Sequence, residues 1–170
     1  MSKGDDTKYK KEQKPAFNGI VKLASLLQKA LETGRSNYVE MSEVNRYISY
    51  YVKTQIDDSS MYMDYILNNY KNGIEFKKLR NDFVKVFNDI NISTADGYEK
   101  LVAPNGSVNK DLLEQLIQLD TEITATMSMI RGALMNAKGH GEITEQEVNE
   151  IAGMADELVT NINERKKVAK

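Results

Sequence analysis

Residues 111–162, DLLEQLIQLDTEITATMSMIRGALMNAKGHGEITEQEVNEIAGMADELVTNI, decide how this chain is read. Leu112, Leu116, Leu119, Ile123, Met127, Ile130 and Leu134 recur in steps of 4, 3, 4, 4, 3 and 4. That is close to the period that keeps side chains on one helical face. Steps of 4-4-3 lie nearer an eleven-residue repeat than a heptad, so strong left-handed supercoiling is not expected of this arm. Val148, Ile151, Ala155, Leu158 and Ile162 follow in steps of 3, 4, 3 and 4, a short heptad-like seam in which Ala152 and Ala155 permit close approach. Both arms are polar elsewhere, so neither buries its stripe alone, and the reading is an antiparallel helical hairpin.

The turn between the arms carries its own signals. Gly139 and Gly141 can adopt the positive φ that ends a helix, and Lys138 suits a helix C-terminus. Thr144 to Glu147 reads as a capping box, with Ile143 and Val148 placed to close over it as a hydrophobic staple.

Residues 136–147, NAKGHGEITEQE, also resemble the twelve-residue calcium loop of the EF-hand family. The resemblance puts Gly141 at the sixth position, Thr144 at the ninth and Glu147 at the twelfth. It would require oxygen ligands from Asn136, Lys138, His140 and Glu142 as well. A lysine ammonium repels calcium, and the helix cap, glycine turn and capping box account for every matched position. The expectation is no metal and no cofactor.

Composition narrows the rest. The chain has 170 residues, long enough for a real core, and no Cys, which removes disulfides, thiolate zinc sites and cysteine nucleophiles. No run of apolar residues is long enough for a transmembrane helix, and the first residues lack an apolar signal core. A protein without a secretion signal, cytoplasmic or virion-associated and not in the membrane, is expected. Net charge is −2; residues 1–14 hold five lysines against three acids and residues 164–170 hold four bases against one. The ends are therefore +2 and +3, and the body is −2 − 2 − 3 = −7.

In chain order, residues 1–14 read as a basic arm. Residues 15–91 read as an N-terminal part of about four helices, residues 92–109 as a hinge-like linker with a possible short helix, and residues 110–170 as the hairpin with a basic tail. Helix one is expected over 16–33, stopped by Gly34. Ser42 is a plausible N-cap for helix two, and Asp57-Asp58-Ser59-Ser60 is expected to break the chain before helix three. Helix four carries Phe76, Leu79, Phe83, Val86, Phe87 and Ile90 on one face. The fold class expected is all-α, a bundle of about five helices.

Catalysis finds no support: His140 is the lone histidine, and no phosphate loop or paired metal motif is present. Tyrosines gather between Tyr38 and Tyr70, and Tyr47, Tyr50, Tyr51 and Tyr62 are candidates for an interaction surface. Met127, Met135 and Met154 join them, because flexible methionine suits an adaptable contact. Lys8, Lys10, Lys11, Arg165, Lys166 and Lys167 are candidates for binding an anion or an acidic partner. The sequence thus points to a non-enzymatic structural, assembly or adaptor protein that meets protein partners, itself included, through helical faces, with a virion or phage component as one example. The other reading is a nucleic-acid-binding regulator using the basic ends and the Tyr-rich helices. The turn at Asp57–Ser60 even permits a helix-turn-helix, although two aspartates at its start repel phosphate.

Overall fold

A computed structural model of the chain describes residues 21–70, 73–95 and 97–169. These residues form an all-α bundle. Helix α1 runs over residues 21–33, α2 over Tyr38–Asn69, α3 over Gly73–Ala95, α4 over Lys110–His140 and α5 over Glu145–Val168. A single 3-10 turn, Tyr98–Leu101, lies between α3 and α4.

The last four helices make a four-helix bundle. Helices α2 and α5 each pack against both α3 and α4, which places α2 diagonal to α5 and α3 diagonal to α4. Gln55 donates to Ser128 and Arg131 to Asp58, both pairs separated by 73 residues, so α2 and α4 run parallel. Helix α3 begins within a few residues of the end of α2 and packs on it, as α5 does on α4, which sends α3 and α5 the other way. The α3–α4 connection must then cross the diagonal over one end of the bundle. That crossing is where the 3-10 turn sits and where Tyr98 is driven into the core with no exposed surface.

The crossover is firmly tied. Val108 N–H donates to Gly34 O, Ser36 N–H to Gly106 O, and the Arg35 guanidinium to Asn105 O. Residues 97–109 therefore close the bundle end, a different role from the hinge the sequence suggested. Helix α1 lies along the first half of α2, held by Lys22–Glu43 at 3.1 Å and Lys29–Glu40 at 3.4 Å, with Ala30 buried. Gly34 ends it at φ +65°, in the left-handed region where a side chain is strained. The expected start of α1 at 16–20 and the arm at 1–14 lie outside the described residues.

Two expectations need correction. Asp57–Ser60 is not a break: α2 is one helix of 32 residues, so the described residues of the N-terminal part form three helices and no helix-turn-helix forms at that position. Asp and Ser lose only about 0.5 kcal/mol each to Ala in a helix. Burial of Ile56 on one side and Met63 on the other, with the Asp58–Arg131 pair at 3.0 Å, outweighs that here. The α2 N-cap is Asn37, in a capping box with Glu40, and not Ser42. The Ser36 hydroxyl, hydrogen-bonded to the Glu40 carboxylate, holds that group below its usual range.

The second correction concerns the α4 stripe. Beside the flanking Thr126, its buried positions are Leu113, Leu116, Asp120, Ile123, Met127, Ile130, Leu134 and Ala137. Those steps alternate 3 and 4 throughout, a heptad seam and not an eleven-residue one. Leu112 and Leu119 sit at its edge, half-buried. A stripe chosen by hydropathy skips Asp120 and drifts sideways to the nearest leucine.

Candidate functional site

The seam of α5 continues in the same way past Ile162, to Arg165, which is also fully buried. Asp120 and Arg165 meet across the hairpin, the guanidinium donating through Nε to one carboxylate oxygen and through Nη2 to the other. Tyr98 Oη donates to the same carboxylate at 2.7 Å. Burial, with the Asp120 charge beside it, pushes the Tyr98 hydroxyl well above its usual pKa. A Cβ at Gly97 would come within 2.8 Å of Asn45 Oδ1 and 3.2 Å of Arg165 Nη2, so a larger residue here would have to displace both side chains. One carboxylate thus joins α4, α5 and the crossover at the closed end of the bundle.

This placement removes Arg165 from the candidate anion-binding residues, since its guanidinium is committed inside the core. Lys166 and Lys167 are exposed, beside Asp89 at 3.8 Å and Glu164 at 3.5 Å respectively. Lys8, Lys10 and Lys11 lie outside the described residues. Met127 is likewise no surface residue: it is a core layer of the α4 seam.

The remaining candidates fall on different faces. Tyr50 is 62% exposed on the outer side of α2, with Val39 and Met61 eleven residues to either side and also exposed. Tyr47 and Tyr51 are half-buried. The ring of Tyr47 has Arg46 at 5.4 Å and Lys22 at 6.0 Å from its centroid. Tyr62 is half-buried near the other end, where Lys138 Nζ lies 5.4 Å from its centroid and 4.8 Å from that of Tyr65. Met135 is exposed, and Met154 is half-buried on the far flank of the hairpin. Met129, grouped by the sequence with the other hairpin methionines but not among the candidate residues, is 58% exposed on α4. Its methionine neighbours drew attention to the helix, but only the true seam shows which of them points outward.

The segment resembling a calcium loop is not a loop. Asn136, Lys138 and His140 lie in the last turns of α4, with helix committing their backbone; Gly141 at φ +78° ends it, and Gly139 stays helical. Thr144 and Glu147 form the expected capping box, each satisfying the other's backbone N–H at 3.1 Å. Among the described residues no group of three or more His, Cys, Asp or Glu is arranged to hold a metal, and no helix is long and apolar enough to cross a membrane. No protein-family model, no curated protein and no solved structure matches this chain, so the chemistry of its surface rests on its own geometry.

Proposed function

We propose that this protein is a non-enzymatic structural, assembly or adaptor protein that works through helix–helix contacts with protein partners. The observation that carries this reading is the pairing of a firmly closed interior with large apolar side chains left on outer helical faces. Tyr50, Met61 and Met129 are each more than half exposed, on α2 and α4, while the core beneath them is filled. Isolated exposed apolar residues are ordinary; long helices that present Tyr outward supply rigid contact area, and Met beside it adapts to the shape of a partner. Self-association is one form of the same reading, as a virion component would require.

Light scattering at low and moderate salt tests it. A stable oligomer in both supports contact through apolar helical faces, and assembly at low salt alone supports basic ends docking on acidic bodies. A monomer in both that also captures no protein partner overturns the reading. The exposed Lys77, Lys78 and Lys85 on α3 support the second reading, a nucleic-acid-binding regulator. That reading requires DNA or RNA affinity that falls steeply with salt, and it fails if neither binds at low salt.

A further inference from the structure

The outer groove between α4 and α5 combines methionine with a row of carboxylates. On α4, Arg131 pairs with Asp58 and Lys138 lies over Tyr62 and Tyr65, so these two mark the flank that meets α2. Helical spacing then puts Glu122, Met129, Ala133 and Asn136 on the opposite flank, toward α5. On α5, Lys166 reaches Asp89 of α3, so the flank toward α4 carries Glu150, Met154, Glu157 and Asn161. The Asp120–Arg165 pair sets the antiparallel register, 120 + 165 = 285. By that register Gly132 and Gly153 lie level, 132 + 153 = 285, and a Cβ added at either would meet nothing within 4 Å.

The result is a shallow apolar groove. Met129, Ala133 and Met154 form its floor, with the exposed carboxylates of Glu122, Glu150 and Glu157 along its rim. Its electrostatics are one-signed. Between Leu112 and Glu164 the chain has only two Lys or Arg residues, Arg131 and Lys138, and both are held on the α2 side. From Glu142 to Glu164 it has seven acids and no base.

We propose that this groove binds a basic amphipathic helix of a partner protein, a proposal that rests on the helix–helix contact reading above. Apolar side chains of that helix seat on the Met and Ala floor, where flexible methionine adapts to their shape. Lys and Arg on its flanks meet the glutamate rim. From Gln118 to Asn136 the groove is about 27 Å long, the length of a helix of about 18 residues. A second copy of this chain does not supply the occupant from its described residues. The most basic helix, α3, already buries its apolar face, Phe76, Phe83, Phe87 and Ile90, in its own bundle.

The test uses the full chain and a fluorescein-labelled peptide of about 18 residues, built of Leu and Lys at helical spacing. Its controls are a scrambled peptide of the same composition and a Leu/Glu counterpart. Anisotropy is expected to show saturable binding of the Leu/Lys helix only, weaker at higher salt. Met129→Lys, which places a cation on the floor, and the pair Glu150→Lys/Glu157→Lys, which reverses its rim, should each weaken binding by about tenfold or more. Met129→Lys should leave thermal stability nearly unchanged, because Met129 is 58% exposed and lysine favours helix about as well as methionine. Equal binding of the scrambled peptide, unaltered binding by both variants, or no binding of the Leu/Lys helix overturns the proposal. Loss of binding in Tyr50→Ala/Met61→Ala with none in the groove variants overturns it while leaving the contact reading intact. A monomer that captures no protein partner and binds none of the three peptides overturns both.

Discussion

Replacing Asp120 by alanine strands the buried Arg165 guanidinium and removes the acceptor of Tyr98. A loss of about 3–5 kcal/mol is expected in chemical denaturation, the usual cost of breaking a buried ion pair from one side. Asp120→Leu/Arg165→Met removes both charges together and should recover most of that loss, so the double-mutant cycle will show strong coupling. Tyr98 adds a pH dependence. Its folded pKa is raised above the unfolded value, so its contribution is complete below about pH 10 and is lost as pH rises through the folded value. In an absorbance titration of the nine tyrosines, Tyr98 should ionise last, with alkaline unfolding, and Tyr98→Phe should remove that component. Ser59 offers the opposite case. Its hydroxyl is fully buried with no hydrogen-bond partner, so Ser59→Ala should stabilise the fold by about 1 kcal/mol and raise the melting temperature.

At the scale of the element, the continuity of α2 is the feature most exposed to test. Ser60 sits in the interior of a 32-residue helix, not in a turn. Proline there removes a backbone hydrogen bond and clashes with the preceding turn, so Ser60→Pro should cost about 3 kcal/mol or more. A true break at Asp57–Ser60 would tolerate it. The sequence suggested that break because four polar residues interrupt the hydrophobic pattern, and local propensity is weak beside tertiary burial. The hairpin turn behaved otherwise. Thr144, Glu147 and Gly141 carry their instructions within a few residues, and the cap and left-handed glycine form where those residues place them.

For the whole molecule, the order of helices around the bundle sets what each surface can do. The diagonal crossover seals one end through Tyr98, while the turns after α2 and α4 share the other, where Tyr70 Oη donates to Ala137 O at 2.5 Å. Because α4 stands between α2 and α5, Arg131 and Lys138 turn toward α2 and its other flank is left to Met129 and Glu122. The segregation of charge follows from the arrangement of helices and is not visible as a run of residues on α4.

The sequence by itself determined the all-α class, the hairpin, its capped turn and the apolar face of α3, because each depends on periodicity or on contacts within about one helical turn. Only the tertiary structure decided that α2 is continuous, that residues 97–109 close the bundle and that Asp120 and Arg165 belong to the seam. Those outcomes depend on partners 45 to 73 residues away, Arg165 for Asp120 and Ser128 and Arg131 for Gln55 and Asp58. A charged residue in a heptad position carries no mark of burial in its own neighbourhood; the opposite charge that permits it is supplied from across the fold.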